Sequence, residues 1–292
     1  MSDFKQKLEE ALCKERQLSA STCKTYMSLL TSVQKKLSDN DLSISFYKNS
    51  KDDILEHINT LEKPQTKKTL LSALFVLTGD NDYREKMLEN VKVVNDHYKK
   101  QKTDPDRLKN VKSFDEIKTI HNQFKNAYKN NPTNSNLMDL LISSVCSGAI
   151  DGLPPRRVLD YAVMKIKNYN RDTDNYYEKG KFYFNQFKTK GNKGKQEMEV
   201  PKEIVTLINK RKKTSTNDFL LENESSEPYT QSSLSKKIKK LFQGNSQDVL
   251  RSIYLSNLYK DLPPLTMLQD TADMMGHSIM SALGYYVKTD KP

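Results

Sequence analysis

The stretch GLPPRRVLDY, residues 152–161, decides how the second half of the chain is organised. Its glycine and two prolines end a preceding apolar segment, and the prolines define the start of a new helix. Arg156 and Arg157 stand at that start, and Asp160 follows one turn later. Since residues three apart share a helix face, we expect Asp160 to orient the guanidinium of Arg157 and to leave its outer fork free for an anion.

A second arginine lies within DVLRSIYLSN, residues 248–257. Apolar side chains cover most of this predicted helix, so Arg251 is expected among buried neighbours. Burying a guanidinium costs several kcal/mol unless an anion meets it. Its partner is either an internal carboxylate or a bound phosphate, and the first arginine site favours the phosphate.

The charge balance favours a polyanionic partner. The chain has 48 Lys and Arg against 37 Asp and Glu, a formal net charge of +11. Basic residues concentrate at 181–213 and 229–242, which indicates a surface for a phosphate backbone rather than only a solvated face. The candidate DNA-binding lysines are Lys67, Lys68, Lys99, Lys100, Lys193, Lys236, Lys237 and Lys240.

The first hundred residues show helical periodicity and no strand pattern. Helices are expected from near Ser21, after a Ser50 cap, from Pro64 to Gly79, and from Asp80 to about Lys100. They predict a bundle of four or five helices over 1–103. The polar segment 104–112 is the expected linker.

Residues 113–292 are predicted as an α+β domain. Two helices precede the Pro-containing stretch, and the second of them, NSNLMDLLISSVCSGA (134–149), is apolar almost all round and therefore buried. The runs AVMKIKN, KFYFNQFK and QEMEV predict a small three-stranded antiparallel sheet. Further helices are expected at about 202–213, 229–242, 247–260, 266–275 and 279–287. The predicted fold class is thus mainly α with two domains.

Other classes of protein fit the sequence poorly. No run approaches the roughly 20 apolar residues of a spanning helix, and the N-terminus lacks the apolar stretch of a secretory signal. Cys13, Cys23 and Cys146 form no CxxC pair, so they are interpreted as reduced thiols of an intracellular protein, in cytoplasm, nucleus or virus factory. No metal or other cofactor is expected.

Four stretches together resemble the catalytic boxes of the tyrosine recombinase, or phage integrase, family. They are GLPPRRVLDY, FKTKGNKGKQEMEVP, DVLRSIYLSN and MMGHSIMSALGYY, in the family's order and spacing. The sequence of the first stretch, continued to MKI, looks most like that of integrases of large eukaryotic DNA viruses and their mobile elements. The resemblance implies that 110–287 is a catalytic domain. It also implies that the preceding bundle is a SAM-like core-binding domain, which closes around DNA with the catalytic domain.

The resemblance also implies roles for individual residues. Arg157, with Arg156 as the fallback, and Arg251 match the two arginines that hold the scissile phosphate. The other matched positions are Lys188 or Lys190 for the hairpin lysine, His277 for the box histidine, and Tyr286 or, less well placed, Tyr285 for the nucleophile. The family usually has His or Lys where this chain has Asp248. An ionised carboxylate cannot donate to a phosphate oxygen, so either Gln247 or Ser246 substitutes, or activity is reduced.

The expected function is therefore site-specific cleavage and rejoining of double-stranded DNA at recombination sites, through a 3′-phosphotyrosine. A tetramer on DNA is implied. Only VKTDKP follows Tyr286, so we expect no exchange of a further C-terminal helix. The alternatives are DNA relaxation of the type IB topoisomerase kind, and a recombinase homologue that binds DNA with weakened catalysis. A purely structural role for the arginines leaves the basic clusters unexplained.

Overall fold

The computed structural model describes residues 2–14, 16–38, 43–101, 111–188, 190–276 and 278–281, of which 2, 3, 97, 192, 193 and 281 are described by backbone alone. The described chain divides into two compact units. The first comprises residues from 1–102 and 263–292, and the second comprises residues from 103–262. The predicted linker falls largely on 102–110, outside the described residues, so the domain boundaries at 103 and 113 stay a prediction.

The regular secondary structure in the described residues of the first unit is all helical. Its helices are α1 (Ser2–Glu9), continued by a π-helical turn (Glu10–Lys14), α2 (Ala20–Leu37), α3 (Phe46–Asn49), α4 (Lys51–Thr60), α5 (Pro64–Thr78) and α6 (Asn81–Lys99). Two later helices, α14 (Leu265–Met274) and α15 (Ile279–Ser281), belong to the same unit. The core between the N-terminal helices is built mainly from leucines, with two fully buried tyrosines, Tyr47 and Tyr83.

Local sequence signals set most of these helix ends. Pro64 occupies the first turn of α5, and Gly79 closes that helix with a left-handed φ of 71°. The carboxylate of Asp80 accepts the backbone N–H of Asp82 and so caps α6. Ser50 precedes α4 as predicted, but its side chain makes no capping hydrogen bond.

Cys13 and Cys23 form a disulfide in the first unit, with their Cα atoms 5.6 Å apart. The prediction of three reduced thiols is therefore wrong for this pair. The π-helical turn and the start of α2 bring the two residues together, and sequence spacing alone does not show this. Cys146 is a free, buried thiol, and burial raises its pKa. The cellular compartment stays a prediction.

The second unit combines helices with a small sheet. Its helices are α7 (Phe114–Asn130), α8 (Asn134–Ser147), α9 (Val158–Ala162), α10 (Lys190–Lys193), α11 (Lys202–Thr214), α12 (Gln231–Leu241) and α13 (Gln247–Leu258). A capping box between Ser113 and Glu116 starts α7, and the Thr133 hydroxyl caps α8. The predicted burial of α8 is confirmed, since its residues from Leu137 to Ser147 are almost all buried in the core of this unit.

The sheet has four strands in the order β1 (Met164–Lys165), β2 (Asn175–Glu178), β3 (Lys181–Phe184) and β4 (Gln196–Glu199). β1 and β2 are parallel, whereas the β2–β3 and β3–β4 pairs are antiparallel. The prediction of three antiparallel strands is wrong, because it omitted β2. Three tyrosines, Tyr169, Tyr176 and Tyr183, stack in series with ring centroids 4.5 and 4.6 Å apart and planes inclined by 11°.

None of the helices within the described ranges is both long and apolar enough to span a bilayer.

Candidate active site

The first arginine segment follows the end of α8. Gly148 terminates that helix with a φ of 74°, and the chain continues without regular structure to Arg157. Arg157 is the N-cap residue of α9, with an extended backbone, so it precedes the first helical turn. Both arginines therefore lie in the irregular segment that leads into α9.

Arg156 is held firmly inside the protein. Its Nε donates to Oδ2 of Asp160 at 2.8 Å, and its guanidinium lies 3.8 Å from the centroid of the Phe184 ring. The side chain is 21% exposed. The expected orientation of Arg157 by Asp160 is wrong, because Asp160 pairs instead with Arg156, whose guanidinium is held against the Phe184 ring.

The guanidinium of Arg157, by contrast, makes no hydrogen bond or ion pair with any residue that the structure describes; only its backbone carbonyl is used, as acceptor of the Asp160 N–H at 3.0 Å. It is half-buried, and its charge acts on Asp160 only through space. A half-buried guanidinium without a partner is suited to an external anion.

Asp160 is bonded to Arg156 and lies near enough to Arg157 and Arg251 for their charges to act on it. Its side chain is 3% exposed, and its Oδ1 is buried without a hydrogen-bond partner. Burial raises the pKa of this carboxyl, while the charges of Arg156, Arg157 and Arg251 act in the opposite direction. Two separate segments of the chain therefore bring three positive charges near one carboxyl group.

Arg251, on α13, is less buried than the sequence suggested. Its side chain is 29% exposed, and Nη1 lies 3.4 Å from Oδ1 of Asp248, whose side chain is 88% exposed. Leu250 and Ile253 are buried on this helix, whereas Leu255 is exposed. The acid beside Arg251 is thus a surface residue, and an exposed pair of this kind contributes little stability.

Gln247 connects the two arginine segments. Its buried Nε2 donates to the carbonyl oxygens of Cys146 at 2.9 Å and Arg156 at 2.8 Å. The start of α13, one turn before Arg251, is thereby tied to the segment that carries Arg156. The suggestion that Gln247 donates to a phosphate in place of Asp248 is wrong, because both donors of its amide are used within the protein. A role for Ser246 stays a prediction.

The candidate lysines lie in the connection between β3 and β4. Lys188 and Lys190 are exposed, and neither forms an ion pair within the described ranges. The hairpin therefore presents two free ammonium groups, although α10 interrupts it. His277, Tyr285 and Tyr286 lie outside the described residues. Their roles stay predictions.

The candidate DNA-binding lysines differ in their surroundings. Lys236, Lys240 and Lys100 are exposed, whereas Lys68 is half-buried. Lys237 pairs with Asp139 at 2.6 Å between α12 and α8, and both side chains are largely buried. Lys67 donates to the Asn59 carbonyl, and the Lys99 ammonium lies 3.7 Å from an Asp96 carboxylate oxygen. The side chain of Lys193 lies outside the described part of the chain.

The basic cluster at 181–213 is partly neutralised inside the protein. Arg211 is fully buried, and its Nη2 donates to Glu222 at 2.7 Å. Lys181 lies 2.8 Å from a Glu197 oxygen, and Lys195 pairs with Asp172 at 2.9 Å. Sequence reasoning missed the structural role of Arg211 because it lies in a run of surface-like basic residues.

Among the residues that the structure describes, no group of three or more His, Cys, Asp or Glu side chains is arranged to hold a metal ion.

Comparison with known proteins gives structural likeness only. No family model matches the sequence. No curated protein matches it either. Among solved structures, a lambda integrase dimer bound to a COC′ core site matches with a TM-score of 0.50 at 16% identity, over 100% of this chain and 79% of that one.

Two further structures match less well. A lambda integrase(75–356) dimer bound to a COC′ core site gives a TM-score of 0.49 at 15% identity, over 100% of this chain and 98% of that one. The structure of the XerA recombinase gives a TM-score of 0.36 at 15% identity, over 99% of this chain and 94% of that one. At these identities the likeness shows a fold shared with lambda integrase and nothing finer.

Proposed function

We propose that the protein is a site-specific DNA recombinase that cleaves and rejoins DNA through a 3′-phosphotyrosine. The observation that carries this proposal is the convergence of Arg157 and Arg251, from separate segments, on the surroundings of Asp160. The guanidinium of Arg157 has no hydrogen-bond or ion-pair partner among the described residues, and the acid beside Arg251 is exposed. The fold shared with lambda integrase supports the same class.

In this proposal the arginines bind the two non-bridging oxygens of the scissile phosphate. Each guanidinium offers paired N–H donors that match two oxygens of an anion. Because the phosphorane-like transition state carries more negative charge than the phosphodiester, the same contacts strengthen as the reaction proceeds. Arg156 acts as a positioning residue, since its bond to Asp160 fixes the segment that carries Arg157.

The phenol of Tyr286 loses its proton to solvent, and its oxygen attacks phosphorus. A P–O bond to the tyrosine forms as the P–O bond to the 5′ oxygen breaks, and Lys188 gives that oxygen its proton. The pKa of an ordinary tyrosine is about 10, so its phenol is protonated at neutral pH. Neighbouring guanidinium charges favour the phenolate because they lower that pKa. His277 steadies the phosphate or the phenol. Attack by a second 5′ hydroxyl on the phosphotyrosine then joins the strands.

The test uses a DNA substrate with a nick close to the cleavage site, so that the cleaved fragment diffuses away and the covalent adduct accumulates. We expect Tyr286→Phe to abolish the adduct on a denaturing gel while DNA binding persists. Tyr285→Phe is the matched control and should retain it. Undiminished trapping by Tyr286→Phe refutes the assignment of the nucleophile. Relaxation of supercoiled plasmid without site preference indicates a topoisomerase.

A second candidate is a DNA-binding homologue with weakened catalysis. Asp248 favours it, because its carboxylate lies beside Arg251 at the position where the family usually has a donor. The same assay separates the two candidates: wild-type protein that binds the recombination site and forms no adduct supports the homologue. The tetramer on DNA and the viral source remain predictions.

A further inference from the structure

The Cys13–Cys23 disulfide borders a cavity of about 850 Å³ in the first unit, between α1, the π-helical turn and α2. Both cysteines line this cavity, which we call the cysteine groove. Its volume lies in the range of small-ligand pockets, about 300–1,000 Å³. A small molecule that occupies the groove therefore lies beside the disulfide while the protein stays folded.

The two sulfur atoms of the disulfide differ in their surroundings. Cys13 is half-buried, whereas Cys23 is 7% exposed and its Sγ lies 3.6 Å from Sδ of Met27. In thiol–disulfide exchange an incoming thiolate attacks one sulfur, and the other sulfur leaves as a thiolate. Cys23 lies near the N-terminus of α2, where the helix dipole stabilises a negative charge. The geometry therefore favours attack at Cys13, with Cys23 as the leaving group.

The packing of α1 does not depend on the disulfide alone. Phe4, Leu8 and Leu12 are buried in the core of the first unit, on both sides of the junction between α1 and the π-helical turn. Burial of apolar side chains of this size stabilises the docked segment without a covalent link. We therefore expect exchange at the disulfide to proceed in the folded protein.

The described residues that line the cysteine groove carry a positive excess. They include Lys5, Lys24 and Lys35 and one acid, Glu9. None of these three lysines forms an ion pair with a residue in the described ranges. An excess of positive charge along a cleft raises the local concentration of small anions and their rate of association. The groove is thus suited to a thiol that carries negative charge.

We propose that the Cys13–Cys23 disulfide is a thiol-exchange site for small anionic thiols, of which glutathione is one. The thiolate attacks Sγ of Cys13, and a mixed disulfide forms there as the bond to Cys23 breaks and Cys23 takes a proton from solvent. A second thiolate attacks the mixed disulfide and leaves Cys13 as a thiol. The protein gains two electrons, and two small thiols are oxidised to one disulfide. The site does not depend on the proposed recombinase chemistry.

Reduction of the full chain by three small thiols tests the proposal. These are 3-mercaptopropionate, which is anionic, 2-mercaptoethanol, which is neutral, and cysteamine, which is cationic. The freed thiols are labelled with a maleimide polymer and counted by gel shift. Cys146 is buried and should stay unlabelled in the native protein.

We expect reduction without denaturant, with the anionic thiol about tenfold faster per thiolate than the cationic one. Tenfold is the lower end of the range that electrostatic steering provides. Added salt should reduce this preference. A disulfide that no thiol reduces until urea is added, or equal rates for all three thiols, overturns the proposal.

Lysine variants separate the effect of the groove from the intrinsic reactivity of the thiols. Lys24→Gln should reduce the preference for the anionic thiol severalfold relative to wild type. Lys36→Gln is the matched control, because Lys36 is also exposed on α2 but does not line the groove and acts instead on His57. An equal loss of preference in both variants contradicts the groove as the origin.

Single cysteine variants locate the attacked sulfur. With oxidised glutathione, Cys23→Ser should gain one glutathionyl group, seen as a mass increase, faster than Cys13→Ser does. A faster reaction of Cys13→Ser contradicts the assignment of Cys13. The wild-type rates still test the proposal if a cysteine variant fails to fold. Tyr286→Phe should leave all of these rates unchanged, so a failure of the proposed recombinase function is distinguishable from a failure of this site.

Discussion

Gly148 lies against both arginine segments, and its replacement by alanine should lower the free energy of unfolding by an amount that its surroundings allow us to estimate. The residue has a left-handed φ of 74°. An added Cβ would lie 2.9 Å from Cδ of Pro155, in the first arginine segment, and closer still to the ring of Tyr254 on α13. That ring packs edge to face against Phe114, with centroids 6.1 Å apart, so its displacement disturbs a further contact.

Two terms set the size of the effect. A left-handed conformation costs a non-glycine residue about 1–2 kcal/mol, offset by about 0.4–1 kcal/mol because alanine restricts the unfolded chain. Overpacking adds about 1–3 kcal/mol. Gly152 has a φ of 77° and nothing within 4 Å of an added Cβ, so Gly152→Ala carries the first term alone. We expect Gly148→Ala to be the less stable variant by about 1–3 kcal/mol.

Urea denaturation followed by far-UV circular dichroism measures this difference. The free energies of unfolding of Gly148→Ala, Gly152→Ala and the wild type are compared at one temperature, with the slopes checked for equality. If the two variants unfold at the same urea concentration, the Tyr254 ring moves aside at no cost. Gly148 then has no role in spacing the arginine segments.

Three further predictions concern charge. Arg211→Met should lower the free energy of unfolding by about 3–5 kcal/mol, because it leaves a buried carboxylate unpaired, and an effect as small as that of the surface control Lys213→Met refutes this. Lys236→Ala should reduce the slope of the logarithm of the DNA-binding constant against the logarithm of salt concentration by about one. Lys237→Ala should change the stability of the fold and leave that slope unchanged. The opposite pattern contradicts the assignment of Lys236 to DNA binding and of Lys237 to the fold. Burial raises the folded-state pKa of Asp160, so its stabilising contribution is present below the unfolded pKa and lost as pH rises through the folded value. The stability of Asp160→Asn relative to wild type should therefore rise as the pH increases above the ordinary aspartate pKa of about 4, and parallel curves contradict the raised pKa.

Helix ends were readable from the sequence because they depend on neighbouring residues only. Pro64 and Gly79 delimit α5 as predicted, since proline fits the first helical turn and glycine adopts the left-handed closing conformation at little cost. The apolar composition of α8 likewise predicted its burial, because a helix that is apolar on every side has no face for water.

Strand β2 was missed for a definite reason. Tyr176 and Tyr177 are both buried although they point to opposite faces of the sheet, so the stretch lacks the alternation that marks a half-exposed strand. Its pairing with β1 and β3 depends on residues elsewhere in the chain. The local sequence pattern therefore does not predict those contacts.

The partner choice of Asp160 could not be read from spacing. Three- and four-residue steps distinguish neighbours only within a helix, and both arginines precede the first turn of α9. The outcome depends on Phe184, whose ring covers the Arg156 guanidinium and is contributed by β3. The same limitation applies to Arg211. In the sequence it looks like its exposed basic neighbours, and only the folded structure shows its buried ion pair with Glu222.

The stacked tyrosines give the second unit an optical signature. The chain has 15 tyrosines and no tryptophan, so tyrosine dominates its near-ultraviolet absorption. Tyr169, Tyr176 and Tyr183 hold their rings nearly parallel at 4.5 and 4.6 Å, where the transition dipoles of adjacent rings couple. Such coupling makes the near-ultraviolet dichroism of the sheet distinct from that of isolated phenols. The integrity of the sheet can therefore be followed in unlabelled protein.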